Sequence, residues 1–257
     1  LLSARRISAT SVMAASEFWP DEAAALKAVA GDADIGLHLT LTDHNPIGAM
    51  ATFAPSGRFP ALMPLLKGAL LRNVPLAEID AEIELQIARF KAYYGALPAH
   101  IDGHHHVHQL PGIRDLVIRH AARLRIPYVR SCADPMARVM QRGIATGKAL
   151  TIGAFAAALE RRARAAGVAT NAGFSGVYDF GAPGRPIDHL FQGFLRGAGE
   201  NALLLCHPGY VDAALAGLDP VTTPREAEQR FLASDAWPEM IARAGLELGP
   251  FRRARQN

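Results

Sequence analysis

Residues 34–42 read DIGLHLTLT, and this stretch decides the fold class. In an extended chain Ile35, Leu37, Leu39 and Leu41 share one face, and Gly36, His38, Thr40 and Thr42 share the other. That alternation predicts a strand. Upstream, ISATSVM (7–13) is β-branched and partly alternating, which predicts another. Residues 21–30 between them are Ala-rich with an acidic start, the signature of a helix. Downstream, residues 43–75 carry Pro46, Pro55, Gly57, Pro60 and Pro64. They predict a long loop with short helical pieces, a length that is often functional in a compact domain.

Residues 76–94 hold the strongest helical period, with Ile79, Ile83, Ile87 and Phe90 spaced by threes and fours. Gly95 and Pro98 end it. The rest continues in alternation. Strands are expected at 99–103, 127–131, 168–170, 201–206 and 246–248, and helices at 112–124, 149–166, 187–197 and 224–244. Strand and helix alternating along a whole chain predict an α/β fold with a mostly parallel sheet. Six or seven such units without a dinucleotide fingerprint favour a (β/α) barrel over a doubly wound open sheet. No linker, repeat or low-complexity tract divides the chain, so residues 1–257 are expected to form a single domain.

The bulk composition excludes several classes. Half of the 257 residues are hydrophobic, 20% are charged, and the net charge is +3. Basic residues cluster only at Arg161, Arg162 and Arg164 and in the tail Arg252, Arg253 and Arg255. A solvated helix face and a frayed terminus account for both, and no aromatic-interleaved basic surface suits nucleic acid. Cys132 and Cys206 make no disulfide framework, which fits a reducing cytoplasm. No apolar run is long enough to span a membrane. The chain begins at Leu1, apparently inside an element, so a preceding N-terminal piece is expected.

The chemistry concentrates in HIDGHHHVHQLPG (100–112), which holds His100, His104, His105, His106 and His108, half of the ten histidines. Continued as a strand, it would project His104, His106 and His108 to one side and His105 to the other. Several imidazoles from one segment right after a buried strand suit a metal site better than a His-rich solvated loop. Asp102 could ligate, or could orient a ligating imidazole. His38 alone would more often be a hydrogen-bonded core residue, but a barrel assembles its site from several strand ends. His207 follows Leu203-Leu204-Leu205 and precedes Pro208-Gly209, at the end of a strand. There it can act as a general acid, or merely cap a turn. Arg130 could bind an oxyanion or a sugar hydroxyl, or form a salt bridge. His44, His120 and His189 carry no pattern and are assigned to surface or packing. Walker, GxSxG, HExxH and CxxC motifs are missing.

Together GLHLTLT (36–42), HIDGHHHVH (100–108) and LLCHPGY (204–210), in that order, resemble the YdjC-like family of carbohydrate deacetylases, and SATSVM (8–13) fits that family's second strand. The family includes chitooligosaccharide deacetylases and hopanoid-biosynthesis deacetylases. The resemblance implies a distorted barrel of the glycoside hydrolase/deacetylase type that removes acetyl from an N-acetylated amino sugar. It implies one divalent ion, zinc or magnesium, with His38 and His104 as ligands. His207 matches the family's late His-Pro-Gly motif, and the role of acid is assigned to it here. Asp102, His106, His108 and Arg130 would contact substrate or support the ligands. The family opens with a strand ending in Asp-Asp, thought to supply a ligand and the base. The first aspartate here is Asp21, so that strand is expected to lie in the preceding piece. Expected partners are the small sugar substrate and a second copy of the chain, and the expected location is the cytoplasm. Two rivals remain open. One is another metal-dependent amidohydrolase or phosphoesterase, and the other a non-catalytic metal- or sugar-binding protein.

Overall fold

The computed structural model describes residues 1–181, 184–219 and 221–251; the basic tail Arg252, Arg253 and Arg255 lies outside the described residues. The chain resolves into two compact units.

One unit comprises Ala9–Ser131, Phe155–Asn171 and the C-terminal residues from Pro250. It contains β1 (Ala9–Val12), α1 (Trp19–Val29), β2 (Asp34–Leu39), α2 (Leu62–Leu70), α3 (Leu76–Tyr94), β3 (His100–Gly103), α4 (Ile113–Leu124) and β4 (Tyr128–Val129). The four strands are parallel in the order β1-β2-β3-β4. Each strand lies beside its predecessor and is reached through helical crossovers, the winding used by (β/α) folds. The register sets Ser11 beside Gly36 and His38 beside Asp102, which stacks the polar positions of three strands in a row. Residues 168–170, expected as a strand, contribute a single bridge from Ala169 to Tyr128.

The apolar face of β2 is sealed: Ile35, Leu37, Leu39 and Leu41 are at most 3% exposed. α3 lays Ile79, Ile83, Ile87 and Phe90 into the same core. Trp19 of α1 stacks on Phe90 at 5.6 Å between ring centroids. Gly95 closes α3 at φ +87°, a left-handed turn that glycine takes without a Cβ clash. β2 stops at Leu39 although the alternation runs on to Thr42. The backbone of Thr40 pairs instead with a side chain of α3. Its N–H donates to Gln86 Oε1 at 3.0 Å, and its carbonyl accepts from Gln86 Nε2 at 2.7 Å. Neighbouring Glu82 accepts from Gln86 Nε2 and from the N–H groups of Ile47 and Gly48. Two buried polar residues of one helix thus fix the chain's exit from the sheet and the start of the 43–75 loop.

The second unit comprises Leu1–Ser8, Cys132–Ala154 and Ala172–Gly249. It follows β4 in sequence with α5 (Met136–Arg142) and α6 (Thr146–Gly153). The chain then returns to the first unit for α7 (Ala156–Ala165), whose exposed side carries Arg161, Arg162 and Arg164. The remaining elements are β5 (Phe174–Ser175), α8 (Ile187–Leu195), β6 (Leu203–Leu204), α9 (Ala213–Leu218), α10 (Thr223–Ala233) and α11 (Ala236–Arg243). β5 and β6 pair in parallel. Gly176 lets the chain pass Leu205, whose carbonyl would stand 2.0 Å from a Cβ at that position. Tyr178, Leu190, Phe191, Phe194, Leu232 and Trp237 form this unit's core.

The α/β class with parallel strands is the one read from the sequence. Among the described residues strand pairing forms two ladders, of four strands and of two. Three local expectations are corrected. Residues 149–166 form α6 and α7 rather than one helix, and 224–244 form α10 and α11. Pro238 explains the second break, because its ring clashes with a helical carbonyl at Ser234, where the chain turns extended (ψ 163°). Residues 246–248 are not a strand.

Candidate active site

β3 ends at Gly103, and the chain winds at once into a 3-10 turn, His104–Gln109. This corrects the extended reading of the histidine run. His105 and His106 adopt φ of +50° and +60°, a left-handed conformation that costs a non-glycine residue on the order of 1–3 kcal/mol. Asp43, at the end of the segment leaving β2, shares it at φ +60°. Three left-handed side-chain-bearing residues thus lie where the histidines gather, a kind of backbone strain often found at functional sites.

The turn brings His105, not His106 or His108, towards the residues after β2. Ligand atoms of Asp43, His104 and His105 lie within 4.8 Å of one another. The His104 ring sits 5.7 Å from His38 and 5.4 Å from His44, centroid to centroid. His105 Nδ1 is 3.0 Å from Thr42 Oγ1 and 3.5 Å from Asp43 Oδ2. Two imidazoles and a carboxylate at this spacing are a donor set for a borderline divalent cation, so the residues present fit a metal. His38 and His104 do come together, as neighbours at the ends of adjacent strands. Asp43, His44 and His105 join them unforeseen. The signal for Asp43 and His44 was available, because they directly follow a strand whose polar face already held a histidine.

Beneath this rim lies a buried charged network. His38 Nδ1 meets Asp102 Oδ1 at 2.7 Å, and Arg130 Nη1 donates to Asp102 Oδ2 at 2.7 Å. Arg130 Nη2 also donates to the Gly103 carbonyl at 3.1 Å and lies 3.2 Å from His106 Nδ1. Burial alone would raise the Asp102 carboxyl; the Arg130 guanidinium and His38 outweigh it and hold the group well below the usual carboxylate range. An ionised Asp102 keeps the proton of His38 on Nδ1 and leaves the Nε2 lone pair for a ligand. Ser11 Oγ donates to Asp102 Oδ2 at 3.1 Å and lies 3.3 Å from the same Nδ1. Serine and aspartate therefore share one nitrogen of His38. A nucleophilic triad needs them on opposite nitrogens, so Ser11 is a supporting residue.

Arg130 is 2% exposed, so the salt-bridge alternative is the geometry observed. His106 is tied to that guanidinium. His108 is fully buried and 2.9 Å from the Arg130 carbonyl, and burial pushes it down to about 3. It is a neutral packing residue behind the site. His100 likewise lies under β2, stacked on Tyr128, and burial lowers it to about 4. His120 is buried against Asp80.

In the second unit His207 follows β6. Its backbone N–H donates to Glu228 Oε2, and Phe180 meets its ring edge-on at 4.9 Å. Burial raises the Cys206 thiol, so it stays protonated.

The chain is similar to several known proteins. The family model described as YdjC-like protein matches residues 1–243. A chitooligosaccharide deacetylase of Yersinia pestis (strain Pestoides F) is 30% identical over 224 residues, covering 84% of this chain and 76% of its own. The protein of the same name from Yersinia pseudotuberculosis serotype O:1b (strain IP 31758) matches to the same extent. A solved protein of Enterococcus faecalis V583, named for cellobiose-phosphate cleavage, aligns with TM-score 0.71 at 23% identity, over 98% of this chain and 90% of its own.

Proposed function

This chain belongs to the YdjC-like family, and from that premise we propose that it is a metal-dependent carbohydrate deacetylase acting on an N-acetylated amino sugar. The observation that carries the reading is the Asp43, His104 and His105 group beside His38. The names of the Yersinia relatives support the substrate class. The family match runs through both compact units, which supports treating 1–257 as one catalytic domain.

In this reading His38 and His104, with Asp43 and His105, hold one zinc or magnesium ion; a donor set rich in imidazole favours zinc. Such an ion supplies Lewis acidity for an amide carbonyl and for a water. The chain's own residues supply the rest. Asp102 fixes the tautomer and direction of His38, and Arg130 keeps Asp102 charged. His207 is assigned the proton for the departing amine, which leaves poorly without one. The 43–75 loop is assigned the sugar chain. It is tied to the site by Phe59 N–H to His44 O (2.8 Å) and bears an open depression of about 370 Å3 whose lining includes Thr52, Phe53, Pro60 and Leu65.

Calorimetric titration of zinc into the chelator-stripped protein tests the ligand assignment. One high-affinity site is expected in the parent, and His104→Ala should lose it while keeping its fold. Undiminished zinc affinity in His104→Ala would remove the assignment.

A further inference from the structure

The turn that carries His207 is clamped to α10. Two backbone bonds hold it: His207 N–H to Glu228 Oε2, and Gly209 N–H to the Arg225 carbonyl at 3.2 Å. Glu228 is fully buried and accepts a second hydrogen bond at Oε1, from the Tyr178 hydroxyl at 2.6 Å. Tyr178 is anchored in turn by its place in the core with Phe194 and Leu190. On the strand side Leu205 N–H donates to the Ser175 carbonyl at 2.9 Å, so the chain is held up to two residues before His207. Burial pushes the Glu228 carboxyl up, against the pull of Tyr178, the His207 N–H and Arg225. A carboxylate taken so completely from water is costly unless its oxygens find donors, and here the Tyr178 hydroxyl and the His207 N–H supply them.

We propose that Glu228 and Tyr178 are positioning residues for His207: the buried carboxylate, steered by the tyrosine hydroxyl, fixes the backbone of the His-Pro-Gly turn and so the direction of the imidazole. Glu228 lies in an otherwise ordinary helical sequence, REAEQR, and accepts from the main-chain N–H of His207. It thus acts through His207 rather than on substrate. The kinetic consequence rests on His207 being the acid of the proposed reaction; the structural one does not.

The test uses full-chain protein with isotopically labelled histidine, the His207 ring signals being identified by their loss in His207→Ala. Glu228→Ala should shift or broaden the His207 ring signals, Glu228→Gln should largely restore them, and those of His38 and His104 should stay in place. Acetate release by Glu228→Ala should fall about tenfold to a hundredfold in kcat, the scale of a misplaced acid, with KM changed less than about twofold. If Glu228→Ala does not fold, Tyr178→Phe takes its place, because it removes one of the carboxylate's two donors. Ring signals of His207 that coincide with the parent's in a folded variant overturn the inference. A parent protein that releases no acetate would sink the deacetylase reading instead, while the ring signals still decide the inference.

Discussion

At Arg130 a guanidinium with 2% exposure is neutralised by Asp102, itself only 4% exposed. Removing one partner leaves the other charge buried and uncompensated, an effect of roughly 3–5 kcal/mol. Arg130→Met should lower the unfolding free energy by about that much in urea titrations. It should also weaken metal binding, because Asp102 would no longer be held charged behind His38. A loss below about 1 kcal/mol would show that the pair is not desolvated as described. The sequence located the residues of this network but not their partners. His104 and Asp102 stood out because they belong to a run of imidazoles at the end of a buried strand, whereas His38, which alone reads as a core residue, gained weight only from that cluster. His105 was turned away only because the run was continued as a strand, whereas the 3-10 turn and two left-handed residues reverse which imidazoles face the rim. Glu228 carried no motif at all, since its importance comes from a tertiary contact with the main chain of His207.

α3 decides where β2 ends. Gln86 satisfies both backbone groups of Thr40, and a leucine there would leave a buried donor and acceptor without partners. Gln86→Leu should therefore cost roughly 2–6 kcal/mol by urea unfolding, at about 1–3 per unsatisfied group, despite its greater hydrophobicity. Gln86→Glu should recover little of this, since a carboxylate cannot donate to the Thr40 carbonyl and would face the buried Glu82 carboxylate that Gln86 Nε2 now meets. A neutral Gln86→Leu would contradict this account of the strand's end. The helix itself was read to its last residue, because its apolar period and Gly95 agree. Elements in the second unit were read less well. β5 and β6 are two residues each, too short for alternation to register. The α10/α11 junction depended on weighing Pro238 above the surrounding helical period.

Over the whole molecule, pH dependence follows from two histidines that fold in neutral. His100 is lowered to about 4 and His108 to about 3, both by burial. In the unfolded chain such groups titrate near 6.5, so below that pH the unfolded state gains protons that the folded one does not. Their contribution is thus complete above about pH 6.5 and is lost as the pH falls towards 4 and then 3. Thermal melts between pH 7 and 4 should show a steady fall in Tm. His100→Phe, which keeps the stack on Tyr128 and removes a buried Nδ1 lacking a hydrogen-bond partner, should flatten that slope. An unchanged slope would contradict the burial of His100. The central claim concerns the rim above these residues, where a strand-end cluster of imidazole and carboxylate is read as the metal centre of a deacetylase. The most direct measurement is acetate release from N-acetylglucosamine oligomers by the natural full-length protein, with chelator and after metal is restored. The account predicts release that stops with chelator, returns with zinc or magnesium and is lost in His104→Ala. Release that persists undiminished in chelator and in His104→Ala would contradict it.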